Sequence, residues 1–286
     1  MSWWLCVLII IRMVLTYRVR ARNTAADSEN KIHDDAIAAQ FGFRGGLVPG
    51  VTVYAYMTVP VVERFGLAWL ESGSMQIKFH QPFYDGEEVT VRAEVDESAD
   101  PINIAITAER EDRTVCATAL ATVNDRSSWL GEPRLENYPE SPLPSVDDRP
   151  VPSSKLLVPG TALGTLRESV RVPDIAMLDK LDEQLPIYTG QDAVGHPFTL
   201  LALANQILVR NYSLGPWIHA ASDLINVSAI RDGEAIAVRG RISDCFERKG
   251  HQFVVLDLLL AADSTRIVQQ VRHTAIYQPR GTRAAK

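Results

Sequence analysis

The feature that most constrains the fold of this chain is an internal repeat with one constant spacing. Pro49 aligns with His196, and Asp85 aligns with Asp232, at the same offset of 147 residues. Each pair sits in a similar context. A long apolar segment follows both Pro49 and His196, and each of the two aspartates is followed by glycine in an Asp-Gly turn. A repeat that keeps its offset without a gap predicts two structural units of the same fold.

Each unit is predicted to pack a sheet against one buried helix. Residues 51–65 are apolar almost all round, and a helix without a polar face must be buried. Pro60 lies inside this helix, so we expect a kink or a break there. Alternating apolar and polar residues predict strands over 76–79, 89–95, 102–108 and 115–123. These elements indicate an α+β fold in which a curved antiparallel sheet wraps around a central helix.

The boundaries of the units follow from composition. Residues 1–12 are mostly apolar but too short to span a bilayer, so we interpret them as an extension outside the fold. The first unit is predicted over 13–123 and the second over 161–279. Residues 124–160 contain seven of the 16 prolines and are predicted to be an extended linker. The offset grows after residue 247, which predicts that a hairpin near 247–264 is longer in the second unit.

Composition excludes several classes of function. The chain has 29 Lys and Arg against 35 Asp and Glu, a net charge of −6, and no basic tract, so nucleic-acid binding is not expected. Its three cysteines lie far apart, which argues against a disulfide framework or a zinc site. We expect a cytoplasmic protein without stable membrane insertion, and neither a metal nor a cofactor.

Residues 30–50 carry a motif that resembles a known family. They read NKIHDDAIAAQFGFRGGLVPG, and the matching positions are Asn30, Ile32, His33, Asp35, Ala36, Gly42, Phe43 and Gly50. This pattern resembles the hydratase motif of the MaoC-like, (R)-specific enoyl-CoA hydratases. The resemblance implies a hotdog fold, and two units in one chain imply a double hotdog. It also implies hydration of a 2-enoyl thioester or the reverse dehydration, on an acyl-CoA or acyl-carrier-protein substrate. A homodimer is possible.

The resemblance assigns His33 as the catalytic acid/base. In the family an aspartate precedes this histidine by five residues, and Ser28 occupies that position here. Asp27 and Glu29 flank it, so either replaces the missing carboxylate if the loop shifts by one residue. A histidine and a carboxylate holding one water between them can activate the water and protonate the α-carbon.

The remaining site residues are assigned to substrate binding. Asn30 and Ser28 are expected to position the thioester carbonyl or the water. Gly50 begins the central helix, and its N–H is suited to stabilise the developing enolate oxygen. Tyr54 is expected beside the acyl tail. The second unit has no Asn-x-x-His motif, so one site per chain is expected, in the first unit.

Alternatives remain open at this point. A thioesterase on the same fold would use a carboxylate on the central helix, for which Glu63 is available. A non-catalytic module that binds acyl groups, or that pairs with a catalytic subunit, needs no acid/base. His33 can also serve as a structural hydrogen-bonding residue. His80, His219, His251 and His273 show no partner in the sequence.

Overall fold

A computed structural model describes residues 13–124 and 130–281 of the chain. The predicted extension, residues 1–12, lies outside the described residues. In the first unit the strands are β1 Met13–Arg20, β2 Ser74–Phe79, β3 Glu88–Asp96, β4 Ile102–Glu109 and β5 Val115–Val123. The helices of this unit are α1 Asp35–Gln40, α2 Gly50–Phe65 and α3 Leu67–Ser72.

The second unit repeats this order from β6 onwards. Its strands are β6 Leu166–Ser169, β7 Ile218–Asn226, β8 Ala235–Arg248, β9 His251–Ala262 and β10 Arg266–Gln278. Its helices are α4 Ile175–Leu181 and α5 Pro197–Asn211. The β8–β9 hairpin has strands of 14 and 12 residues, whereas the equivalent β3 and β4 have 9 and 8. The extra length lies where the change of offset predicted it.

The two units share one continuous sheet. Its strand order is β1-β3-β4-β5-β2-β7-β10-β9-β8-β6, so the units meet edge to edge where β2 pairs with β7. This pairing is antiparallel and runs from Ser74 opposite Ile225 to Lys78 opposite Ala221. Each unit thereby covers an edge of the other that would otherwise expose unpaired backbone groups.

The central helices α2 and α5 are buried and contact each other. Every residue of α2 from Val51 to Val62 is buried, which agrees with its apolar sequence. The helix is not broken at Pro60: it continues to Phe65 and ends at Gly66, which has a φ of 53°. A helix that is packed on all sides is stabilised mainly by tertiary contacts, so it tolerates the hydrogen bond that proline removes.

The repeated Asp-Gly pair has a structural role in both units. The carboxylate of Asp85 accepts a hydrogen bond from the N–H of Asn23, and that of Asp232 accepts one from the N–H of Val172, both at 2.8 Å. The glycine after each aspartate has a positive φ, which favours glycine at this turn position. The turn therefore fixes the segment that precedes each central helix.

The proline-rich segment packs along the second unit. Its described part contains no strand and only a short 3₁₀ turn, Leu135–Asn137. Tyr138 is buried and donates a hydrogen bond to Asp257 at 2.7 Å, and Leu157 is fully buried. Among the described residues, no helix is long and apolar enough to cross a membrane.

Candidate active site at the junction of the two units

A cavity of about 330 Å³ lies where the two units meet. The segment before α2, the start of α2 and the end of β2 form one side, and the start of β7 with the end of β10 forms the other. Its polar lining residues are Asn30, His33, His80, Gln81, Asn205, His219, His251 and Arg280. No described residue that lines it is an aspartate or a glutamate.

His33 lies in this cavity with a defined protonation pattern. Its Nδ1 is 2.7 Å from the carbonyl oxygen of Leu47. Because a carbonyl only accepts, Nδ1 carries the proton and Nε2 of the neutral ring is an acceptor. Burial lowers the pKa of His33, although the Leu47 carbonyl acts in the opposite direction. The neutral ring with Nε2 as an acceptor is therefore the favoured form at neutral pH.

The side chain of Asn30 connects His33 to the second unit. Its Nδ2 donates to the carbonyl oxygen of Trp217 at 3.0 Å, and its Oδ1 accepts from the N–H of Trp217 at 3.1 Å. These two bonds fix the orientation of the amide group. The same Nδ2 lies 3.3 Å from Nε2 of His33, where it acts as the donor. Asn30 thus holds the histidine and connects it to the backbone of the residue that precedes β7 across the cavity.

The loop that carries His33 is closed by short-range bonds. The carboxylate of Asp35 accepts a hydrogen bond from the N–H of Gly46 at 2.7 Å. The N–H of Leu47 donates to the carbonyl of Ile32 at 3.2 Å. A Cβ on Gly46 would lie 2.1 Å from the carbonyl oxygen of His33, so only glycine permits this approach. The loop therefore presents His33 from a tightly packed turn.

Gly50 begins α2 at the wall of the cavity. Pro49 supplies no side-chain cap to the helix. The N–H of Thr52 donates to the carbonyl of Pro49 at 2.9 Å, which leaves the N–H groups of Gly50 and Val51 for solvent or a ligand. A Cβ on Gly50 would lie 2.9 Å from Nδ1 of His219. Glycine at this position brings the positive end of the helix close to a histidine of the second unit.

Comparison with solved structures identifies the fold. A protein described as a MaoC domain dehydratase from Chloroflexus aurantiacus superposes with a TM-score of 0.69 at 9% identity, covering 94% of this chain and 95% of that chain. A Mycobacterium tuberculosis protein with a double hotdog fold gives 0.64 at 17%, covering 93% and 96%. The chain has a double hotdog fold. A MaoC-like dehydratase gives 0.60 at 14% identity, covering 94% and 99%. No protein-family model and no curated sequence matches this chain.

The double hotdog brings only some of the predicted site residues together. His33, Asn30 and Gly50 line the cavity. Asp27 and Glu29 are exposed, do not line it and form no recorded contact with His33. The structure therefore does not bring a replacement carboxylate to His33, and that assignment stays a prediction.

The other predicted residues lie outside the cavity lining. Ser28 is half-buried, and its hydroxyl donates weakly to the carbonyl of Asn30 at 3.4 Å. Tyr54 is fully buried in α2, and its hydroxyl has no hydrogen-bond partner among the described residues. Glu63 is exposed near the end of α2. Within the described part of the chain, no group of histidine, cysteine and acidic side chains is arranged to hold a metal ion.

The equivalent place in the second hotdog unit is closed. His196 caps α5 by accepting a hydrogen bond from the N–H of Phe198 at 3.0 Å, and its Nε2 contacts Glu183 at 3.3 Å. Tyr188 packs against the imidazole, with ring centroids 4.4 Å apart. The space left beside this cluster is only about 10 Å³. The second unit contains a buried His–Glu pair without room for a substrate beside it.

Sequence reasoning missed the contribution of the second unit to the cavity. Trp217 directly precedes β7 and His219 lies in it, about 190 residues beyond the motif. His219 contacts Ser222 and, through it, His273 on another strand. Only the pairing of β7 with β2 and β10 assembles this wall, and the sequence offers no signal that specifies these pairs.

Proposed function

We propose that this protein catalyses the addition of water to a 2-enoyl thioester, or the reverse dehydration of a 3-hydroxyacyl thioester. The observation that carries the proposal is the neutral His33, which lines the cavity, donates from Nδ1 to Leu47 and has Nε2 as an acceptor contacted by Asn30 at 3.3 Å. A neutral imidazole near physiological pH is suited to take and return one proton. The hotdog dehydratases of similar fold give the proposal its reaction class.

The reaction needs one proton carrier and an oxyanion site. The water displaces the 3.3 Å contact of the Asn30 amide from Nε2 of His33. Its oxygen then forms a bond with C3 of the enoyl group while Nε2 takes one of its protons. The negative charge moves to the thioester oxygen, and the imidazolium then delivers the same proton to C2. The sum is the addition of one water across the double bond, and His33 ends neutral.

The start of α2 is suited to bind the negatively charged thioester oxygen that forms in the reaction. Gly50 lines the cavity, and the helix begins there without a side-chain cap. Backbone N–H groups at a helix N-terminus favour negative charge, and they act in a site shielded from water. Removing one such donor typically lowers kcat by about 10²-fold.

The apolar part of the cavity suits an acyl chain. Its lining includes the aromatic side chains Phe41, Phe43, Phe79 and Phe83. A volume of about 330 Å³ is in the range of small-molecule sites. We infer an acyl thioester as substrate, carried by coenzyme A or by a carrier protein.

One observation favours a second candidate, a non-catalytic module that binds acyl groups. None of the described residues that line the cavity is acidic, whereas the family mechanism pairs its histidine with a carboxylate. Nothing favours a thioesterase that uses Glu63, because this side chain is exposed and does not line the cavity.

The candidates differ in what the purified protein does to crotonyl-CoA and longer enoyl-CoAs. A hydratase removes the absorbance of the conjugated enoyl group, and His33→Ala lowers kcat by about 10²-fold or more. A thioesterase releases free thiol, and Glu63→Gln abolishes that release. A binding module does neither but retains a saturated acyl-CoA in calorimetry. Loss of absorbance that is equal in wild type and His33→Ala would exclude the proposed role of His33.

A further inference from the structure

A β-bulge turns His219 towards the helix-covered face of the sheet. In the pairing of β7 with β10, Ala221 lies opposite Thr274 and His219 lies opposite Ala275, so Ala220 is an extra residue. Without it, His219 and Ser222 would face opposite sides of the sheet, because side chains alternate along a strand. With it, both share the buried face. Bulges that re-aim a side chain are common beside active sites.

His219 belongs to a row of buried polar groups. Its Nε2 lies 2.8 Å from the hydroxyl of Ser222, which lies 3.0 Å from Nδ1 of His273. The two imidazole rings are 4.4 Å apart, and all three residues are buried. Burying polar groups is unfavourable unless every one is paired. Nδ1 of His219 has no hydrogen-bond partner among the described residues, although the residue lines the cavity.

One of the two directions open to the hydrogen bonds of the row makes this nitrogen an acceptor. Burial lowers the pKa of His219 well below its ordinary value and His273 lowers it further, although the backbone of Ala221 acts in the opposite direction, so both rings are neutral. If Nε2–H of His219 donates to Ser222 and the Ser222 hydroxyl donates to His273, Nδ1 keeps its lone pair. The start of α2 at Gly50 favours this arrangement, because its partial positive charge disfavours an N–H pointing at it.

Resting on the proposed function, we propose that His219 is a second catalytic residue, which binds the nucleophilic water in place of the carboxylate used by related enzymes. His219 lies two residues beyond Trp217, whose backbone holds Asn30 and thereby His33. Both histidines line one cavity. Nδ1 of His219 accepts a hydrogen bond from one O–H of the water, while Nε2 of His33 takes the other proton. That proton passes to C2, and both rings end neutral.

Two substitutions test whether the His219 side chain acts as a hydrogen-bond acceptor or only fills space. His219→Leu keeps the bulk but removes the acceptor, and kcat for enoyl-CoA hydration should fall by about 10²-fold with little change in KM. His219→Asn places an amide oxygen near the position of Nδ1 and should retain more than a tenth of the wild-type kcat. A folded His219→Leu with wild-type kcat would overturn the inference and leave the proposed function intact.

Ser222→Ala tests the row without touching the cavity lining. Ser222 is a positioning residue, so its loss should lower kcat by about 10-fold at unchanged KM, whereas a purely structural role would lower only the melting temperature. His196→Gln is the matched control, because His196 is equally buried but lies outside the cavity; it should lower stability and keep kcat. If His219→Leu does not fold, unchanged kcat in folded Ser222→Ala overturns the inference. A wild type inactive on short and long enoyl-CoAs overturns both proposals.

Discussion

Replacement of Asn30 by alanine tests whether the two units assemble one site. In the native structure its amide group has three partners at the cavity, namely the N–H of Trp217, the carbonyl of Trp217 and Nε2 of His33, besides a longer bond from the N–H of Ile32 at 3.4 Å. Asn30→Ala leaves all three without a partner. Each hydrogen bond contributes about 0.5–1.5 kcal/mol net. Since Asn30 is only half-buried, water replaces part of the loss, and we expect about 2–3 kcal/mol of destabilisation.

This loss is measurable by thermal and urea unfolding. For a protein of this size, 1 kcal/mol corresponds to a shift in Tm of about 2–4 °C, so Asn30→Ala should lower Tm by about 5 °C or more. In addition, kcat should fall by about 10-fold or more, because His33 loses the donor that orients Nε2. Combining Asn30→Ala with His33→Ala should give non-additive effects, since the two side chains are in contact.

A matched control separates the site from stability alone. Asn226 also bonds across the units, donating to the carbonyl of Trp69 at 3.1 Å and accepting from Gln269 at 2.8 Å, but it does not line the cavity. Asn226→Ala should therefore lower Tm while kcat stays near wild type. If Asn30→Ala changes stability by less than about 0.5 kcal/mol, as for an ordinary surface substitution, then the bond to Trp217 is not formed in solution.

Three further predictions concern the same cavity. His33 acts as the neutral base, and burial lowers its pKa below the ordinary value of 6.5. Hydratase activity should therefore fall with decreasing pH only below pH 6.5. His33→Ala should remove this acid limb of the pH profile. Gly50→Ala should lower both Tm and kcat, because the added Cβ would lie 2.9 Å from Nδ1 of His219 in the opposite wall. A crystal structure of the variant should show the His219 ring displaced. Asp27→Asn and Glu29→Gln should each leave kcat within about threefold of wild type, because exposed charges away from the cavity contribute little; a severe loss in one of them would restore it as the missing carboxylate.

The fold was predictable because the information that specifies it is local or repeated. The helix α2 is apolar on every side, which permits only a buried position, and the strands alternate regularly. The constant offset of 147 residues then predicted a second unit with the same fold as the first. Even the Asp-Gly pairs at Asp85 and Asp232, which contributed to the repeat, proved to be structural turns with the same hydrogen bond. Repetition therefore marked residues needed for folding rather than for chemistry.

The site was only half predictable, for a physical reason. His33 and Asn30 lie in one short motif, so their proximity follows from the sequence. Trp217 and His219 reach the cavity through strand pairing across the unit junction and through a bulge at one extra residue, and His273 lies behind them. Which residue of a strand is bulged depends on packing against its neighbours, and the alternation of apolar residues does not reveal it.

The two helix starts explain why duplication yields one cavity rather than two. In the first unit Pro49 precedes Gly50, which leaves a helix end without a side-chain cap and without a Cβ to fill the space before it. In the second unit His196 caps the helix, and Pro197, which has no N–H, follows it. The second unit cannot offer the same oxyanion donor even if the His196–Glu183 pair were opened. Its β7 strand instead supplies the opposite wall of the first cavity. The first unit on its own would therefore lack this wall and the backbone of Trp217, to which Asn30 is hydrogen-bonded.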